Sequence, residues 1–479
     1  MDETSNYYEF VQKLCEVALN NDVPVNLAYI ATMQAWWCRM RSTIVLLEEK
    51  YRDVPWIKPW LYIVDSGVRD QKMAHDDVVE LIEKAIEHSI EDWIEIDLHI
   101  LHAFFHHPFG EAINLYEPLD KIKGMIKTNP RLDCFESVLY GFEAIGKLKE
   151  NNINDALEIV QKGKFLAKRH DDAVYMYMNM LQEALILSVV NVNKSASMFE
   201  NLYELVQELQ VPAFETEILN DSSLLYETMG EFDLVISCHQ EIMKILDASD
   251  RRISDTTFVI LARTYATLGN GEKSLEWINK GIEDSGQFAG PQMLIYKAWA
   301  LALVNRIDEA EKALENAYRR VIKTSFERHL ADYYQVSGVI EQKNSNFLNA
   351  LNMLEKAWEI ANRLRAGGIT RNRVLIDSAR VENLTLAQSK DDAKIVAPGK
   401  WLSTLEKYAC ERDLPGIRMY GALLKSEFYQ NQGQLKDALA TLQDALKITD
   451  SLGVQTLRRK INSRISEVAQ LIGEEVSAS

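Results

Sequence analysis

The sequence predicts an all-α fold, a solenoid built from stacked antiparallel helix pairs. Three observations predict it. Apolar residues recur at steps of three and four, the spacing of one helix face. These amphipathic stretches come back along the chain at intervals of about 36 to 44 residues. No stretch alternates apolar and polar residues for long enough to make a strand.

Taken in chain order, the first segment, residues 1–60, is atypical and reads as an N-terminal helical cap or small module. Residues 61–455 carry the repeats. Val78 and Leu119 open helical stretches at the repeat spacing. Ile153, Ala156, Val160 and Gly163 then form a stripe, and a weaker copy falls near residue 196. Val235, His239 and Ile242 follow, then Ser274, Ile278 and Gly281. The strongest frames are Ile307, Ala310, Leu314, Ala317 and Phe347, Ala350, Leu354, Ala357. A further copy is expected near Pro398–Trp401, and the last is Leu435, Ala438, Leu442, Ala445. Residues 456–479 read as a C-terminal capping helix that ends near Ile472, followed by the short tail GEEVSAS.

The alanines explain the architecture. A helix packed on an ordinary core gains more from burying leucine. Small residues at fixed places therefore predict a partner helix whose backbone comes close. Each stripe is preceded by another helical stretch that ends in a polar or glycine turn, as in FVILARTYATLGNGEKS and GALLKSEFYQNQGQLKD. A tyrosine stands four residues before the turn glycine in Tyr226/Gly230, Tyr265/Gly269 and Tyr429/Gly433. Glycine accepts the left-handed conformation that closes a helix. Pro130, Pro212, Pro291 and Pro415 mark the starts of first helices, where a missing N–H does little harm.

Tyr429, Gly433, Ala438, Leu442 and Ala445, with Tyr334, Gly338, Phe347, Ala350, Leu354 and Ala357, resemble the tetratricopeptide repeat frame. The long period is similar to the ~40-residue variants of MalT-like and Rap-like bacterial regulators. The resemblance covers roughly residues 60 to 455 and implies a right-handed superhelix with a concave groove. It also implies that first-helix positions line that groove: Arg263, Trp299, Gln335, Gln342, Tyr420, Glu427 and Gln430. Their polar and aromatic character suits an extended peptide or a helix. The chain departs from relatives of this type in lacking an ATPase module, a LuxR-type DNA-binding segment and the lysine/asparagine clamp of chaperone-binding members.

Composition narrows the function classes. The chain has 479 residues, 47% hydrophobic and 26% charged, with few glycines and prolines for long linkers. A net charge of −18 argues against general binding to nucleic acid or anionic membrane. Five scattered cysteines without a CxxC predict a reduced, cytoplasmic chain with no disulfide framework and no zinc finger. The opening MDETSNYYEF does not read as a secretory signal, and no apolar run near the ~18 residues of a membrane span is expected.

Sites that could carry chemistry are few. LGNGEKS imitates a phosphate loop, but Glu272 separates Gly271 from Lys273 and a helix precedes it, so a turn is expected. His99, His102 and His106 lie on one helical face, spread over ~10 Å, so all three cannot meet one zinc ion. Basic pairs at Arg251–Arg252, Arg319–Arg320, Arg363/Arg365, Arg371/Arg373 and Arg458–Arg459 read as solvated helix ends, with GlyGly at 367–368 giving a mobile basic loop. Trp56 and Trp60 read as core contacts between early helices. The paired acids Glu48–Glu49 and Asp76–Asp77 read as helix surface or caps. No cofactor and no catalytic residue is expected. The function expected is a non-catalytic scaffold or adaptor that holds a protein or peptide in the groove. The alternatives are a regulator whose superhelix senses a peptide or small ligand, and, third, a metal-dependent enzyme using His99, His102 and His106.

Overall fold

The computed structural model describes residues 7–38, 40–60, 75–89, 91–106, 112–150, 152–248, 255–285, 290–322, 327–364, 368–388, 399–452 and 455–478. Among these residues every regular element is a helix. The chain forms two compact units, Met1–Leu219 and Asn220–Ser479.

The first unit holds α1 (Tyr7–Asn20), α2 (Val25–Trp37), α3 (Arg41–Tyr51), α4 (His75–Glu87), α5 (Asp92–His106), α6 (Ala112–Thr128), α7 (Glu136–Lys149), α8 (Ile153–Arg169), α9 (Ala173–Val190) and α10 (Val192–Leu209). Helix α11 (Pro212–Met229) runs across the division. The second unit continues with α12 (Phe232–Ala248), α13 (Asp255–Thr267), α14 (Gly271–Ser285), α15 (Pro291–Leu303), α16 (Ile307–Val321), α17 (Glu327–Lys343) and α18 (Phe347–Arg363). It ends with α19 (Gly368–Gln388), α20 (Lys400–Glu411), α21 (Pro415–Asn431), α22 (Leu435–Leu452) and α23 (Gln455–Ala478). Neighbouring helices pack pairwise, as α7 on α8, α13 on α14, α15 on α16, α17 on α18 and α21 on α22.

The small-residue frame sits at these pair interfaces. Ala156, Ser195, Ser274, Ala310, Ala350 and Ala438 are buried, each near the start of a second helix. Space is short there: a Cβ on Gly338 would stand 2.7 Å from Leu354 Cγ, and one on Gly281 the same distance from Phe258 Cβ. The repeat expected near Pro398–Trp401 begins at Lys400 and buries Trp401 and Leu402 in place of a small residue; Pro398 lies outside the described residues.

The turns follow from the same residues. Gly230, Gly269 and Gly433 have φ of 83°, 80° and 74°. The N–H beyond each glycine reaches back to the tyrosine carbonyl: Glu231 to Tyr226 at 2.8 Å, Asn270 to Tyr265 at 2.8 Å and Gln434 to Tyr429 at 2.9 Å. This is the closing hydrogen bond that a left-handed cap allows. Asn305 and Ser345 take the same left-handed conformation in the two intervening pairs. LGNGEKS is such a turn, with α13 before it and α14 after it.

Three sequence expectations are corrected. Helix α23 runs to Ala478 instead of ending near Ile472. Gly473 costs a helix only about 1 kcal/mol, and no proline follows it. Arg371 and Arg373 do not belong to a mobile basic loop, because α19 starts at Gly368 and buries both. Gly367 and Arg365 lie outside the described residues, as do Arg251 and Arg252. Finally, α9 has the length and mean hydropathy (1.3) of a membrane-spanning helix. It packs on α7, α8 and α10, and it carries buried polar side chains that bond to those neighbours: Asn179 Nδ2 donates to the Ser137 carbonyl at 3.1 Å, and Glu183 accepts from Lys164 Nζ at 2.6 Å.

Trp60 is core, as expected, and its Nε1–H donates to Tyr29 Oη at 3.0 Å; Trp56 is half-buried. Arg319 and Arg320 fall in the last turn of α16, where the helix dipole favours them.

Candidate functional site: a polar ladder inside the second unit

The first helices of the second unit place one residue each at a constant register. Glu227, Arg263, Trp299 and Gln335 follow each other at 36-residue spacing, and Asp377 and Tyr420 continue the series after the longer α19 repeat. All six are buried. Burying charge is costly unless it is paired, and the repeat supplies the pairs from one helix to the next. Arg263 Nε donates to Glu227 Oε1 at 2.6 Å, and its Nη2 closes a fork on the other carboxylate oxygen. Tyr296 Oη donates to Asp332 Oδ2 at 3.0 Å. Arg373 Nη1 donates to Tyr296 Oη at 2.9 Å, and its Nη2 to Asp332 Oδ1 at 2.5 Å. Gln335 Nε2 donates to Asp377 Oδ2 at 2.8 Å, and Arg380 Nη1 to Asp377 Oδ1 at 2.8 Å. The Arg373 guanidinium also stands 5.4 Å from the Tyr296 ring centroid and 5.8 Å from that of Trp299.

The electrostatics follow from these pairings. Burial pulls the Arg263 pKa down, but Glu227 and Tyr296 outweigh it and hold the proton more firmly than usual. Burial pushes the Asp332 carboxyl up, while Arg373, Arg328 and Arg263 together bring it below the ordinary value. Asp377 goes the other way, raised by burial against the pull of Arg380.

The ladder is not fully satisfied. Arg373 Nε, Gln335 Oε1, Thr264 Oγ1, Ser378 Oγ and Tyr420 Oη are buried with no hydrogen-bond partner among the described residues. Each lies on a first helix of the unit. Buried polar atoms of this kind are uncommon in folded proteins.

Contacts between distant parts of the chain close the unit around this ladder. A Cβ on Gly416 would stand 2.5 Å from the Met229 carbonyl oxygen, so α21 starts backbone to backbone against the end of α11. Asn372 Nδ2 donates to the Thr228 carbonyl at 2.7 Å. The Phe232 and Tyr420 rings meet edge-on at 5.6 Å. Lys460 Nζ on α23 donates to the Leu268 carbonyl at 2.9 Å.

Of the residues assigned to a groove from the sequence, Arg263, Trp299, Gln335 and Tyr420 are buried. Gln342, Glu427 and Gln430 are half-buried. Arg464 of α23 reaches the last two, with Nη2 2.7 Å from Gln430 Oε1 and 3.9 Å from Glu427 Oε1. Sequence reasoning missed Glu227, Tyr296, Asp332, Arg373 and Asp377. The signal was present: Glu227 to Arg263 and Tyr296 to Asp332 both repeat at 36, as Arg263 to Trp299 does.

The histidines of α5 give a different picture. His99 and His102 are buried; nothing is described of the His106 side chain. Burial pushes the His99 imidazole down to about 4, with Lys121 adding to the shift. Among the described residues no group of three His, Cys, Asp or Glu side chains stands together as a metal site.

No protein-family model matches the chain, and no curated protein matches it. Solved structures do. A STAND signal-transduction ATPase with a tetratricopeptide repeat sensor, from Pyrococcus horikoshii, matches at 16% identity and TM-score 0.47, over 74% of this chain and 53% of that one. The chain thus spans about half the length of that protein. A Rap protein complexed with competence and sporulation factor matches at 13% identity and TM-score 0.43, over 71% of this chain and 99% of that one. The apo quorum sensor NprR from B. thuringiensis matches at 13% and TM-score 0.45, over 77% and 99%. With its helix pairs, left-handed turn residues and buried small-residue frame, the chain is an all-α repeat protein of tetratricopeptide-like type.

Proposed function

We propose that this is a non-catalytic binding protein, cytoplasmic, that takes a protein or peptide partner on the inner faces of the first helices in the second unit. The observation that carries this reading is the set of buried, unmet hydrogen-bonding atoms on four first helices, α13, α17, α19 and α21, at or near the ladder positions. An extended peptide offers a backbone donor and acceptor at every residue, so it can satisfy such a set. The half-buried Gln342, Glu427 and Gln430 give the partner its way in.

Affinity capture from the native cell lysate tests this, with wild type beside a Gln342→Ala/Gln430→Ala variant. Both substitutions touch half-buried side chains, so the fold is retained. A protein or peptide retained by wild type and lost from the variant supports the reading. Unchanged capture moves the binding surface elsewhere.

A second reading has its own observation. The closing contacts of Gly416, Asn372 and Lys460 hold the ladder inside the unit. A partner that reaches the ladder must separate them, and its binding energy then drives a change of shape. On this reading the chain is a ligand-responsive regulator. Small-angle scattering with and without a captured peptide distinguishes the two: a change in radius of gyration favours the regulator, and none favours a plain scaffold.

A further inference from the structure

A cleft of 570 Å³ opens to solvent in the second unit, between α20, α21 and α22. That is the size of a small-molecule site. None of the ladder residues lines it. Each helix contributes one stripe at steps of four and three, as Arg418, Ala422 and Lys425 of α21 do. Such a stripe is about 10 Å long. The room comes from small residues. Ala422 and Ala445 stand in the middle of their stripes, where larger side chains would close the gap, and Ile448 adds an apolar wall.

Charge in the cleft is unevenly matched. Lys425 Nζ donates to Glu406 Oε1 at 2.8 Å, and Lys447 Nζ holds Asp444 at 2.8 Å. Both acids that line the cleft are thus paired. Lys407 comes no closer than 3.8 Å to Glu411. Arg418 is exposed, and its guanidinium makes no hydrogen bond or ion pair with any described residue. The cleft therefore holds a surplus of positive charge on a chain whose net charge is −18. A guanidinium fork matches a carboxylate in shape. One unpaired arginine balances one negative charge, whereas a phosphate monoester carries nearly two. A nucleic acid needs a longer row of cations than ~10 Å holds.

We infer that this cleft binds a small organic carboxylate, with its charged head on Arg418 and its carbon body against Ala422, Ala445 and Ile448. The site is independent of the peptide-binding reading of the ladder.

The cleft contains its own reporter. Cys410 lines it and is the exposed cysteine among the five. Iodoacetate and iodoacetamide both alkylate a thiolate with loss of iodide, but the first is a carboxylate and the second its neutral isostere. Their rate ratio at Cys410, followed by mass spectrometry of the full chain, is compared with that at N-acetylcysteine amide. The ratio is expected to be about tenfold higher at Cys410, and the iodoacetate rate to saturate at millimolar concentration. Benzoate is expected to slow iodoacetamide at Cys410, and benzamide to leave it unchanged. Arg418→Ala removes an exposed side chain without a partner, so the fold is retained, and the ratio should fall to that of the free thiol. Ala422→Leu keeps the arginine but fills the cleft, and should abolish protection by benzoate. An iodoacetate rate that stays linear, or an unchanged ratio in Arg418→Ala, overturns the inference. Stronger protection by phenyl phosphate than by benzoate overturns the carboxylate assignment. If Ala422→Leu does not fold by circular dichroism, Arg418→Ala and the isostere pair decide the question.

Discussion

Burial sets the titration of individual residues, and the signs can be worked out. Burial lifts Asp97 from the ordinary 3.8 to about 7. The folded chain therefore holds this proton more tightly than the unfolded chain does. The stability it contributes is fully present below pH ~4 and is lost as the pH rises through about 7. Asp97→Asn carries no charge to bury. Its stability relative to wild type is expected to grow by about 2–4 kcal/mol between pH 4 and pH 8 in urea titrations. His99 and His239 behave oppositely. Burial takes both down to about 4, helped by Lys121 for His99 and by Arg263 for His239. Their neutral forms are the folded ones, so their contribution is present above pH ~6.5 and is lost as the pH falls through about 4. His239→Gln, which can still bond Ser223, is expected to flatten the acid limb by about 1–3 kcal/mol. At the ladder, Arg373→Met strands Asp332 in a buried site, and a loss of about 3–5 kcal/mol is expected by denaturant unfolding.

At the level of the helix, ends and crossings carry the sensitivity. Glu382 of α19 accepts hydrogen bonds from three backbone amides at the start of α20: Lys400 at 2.9 Å, Trp401 at 3.1 Å and Leu402 at 3.3 Å. It acts as a cap supplied from another helix, where a negative charge also meets the dipole. Glu382→Ala is expected to cost about 1–2 kcal/mol, read as a lower denaturation midpoint. Two glycines separate backbone strain from packing. Gly433 has φ 74° and open space around it, so Gly433→Ala should lose only the left-handed preference, about 1–2 kcal/mol. Gly416 touches the Met229 and Gly230 backbone, so Gly416→Ala must push two helices apart and should cost more. The reverse order of the two midpoints would refute the close crossing.

At the scale of the whole molecule, the two compact units predict departure from a single cooperative transition. Calorimetry of the full chain is expected to give a van't Hoff enthalpy below the calorimetric one. Gly416→Ala, which acts only within the second unit, should lower one transition and leave the other in place.

The sequence by itself determined the class of fold. Its step of three and four, its ~40-residue period and its buried alanines are local quantities, and a helix pair uses only local spacing. The turn glycines were legible for the same reason, since Gly230, Gly269 and Gly433 each close one helix with their own neighbours. Residues such as Arg263, Trp299 and Gln335 were also legible as a series, through their shared register. Their surroundings were not. Whether they face an open groove or a closed interior depends on α21 and α23 meeting α11, α12 and the turn after α13, and those contacts join residues far apart in the chain. The same holds for Arg373, which reads as part of a basic loop until α19 buries it against Asp332 and Tyr296. It holds again for Asp97, which reads as one more helix-surface acid until the neighbouring helices bury it. Period is written into the chain, but the burial of a charge is decided only when distant helices remove it from water.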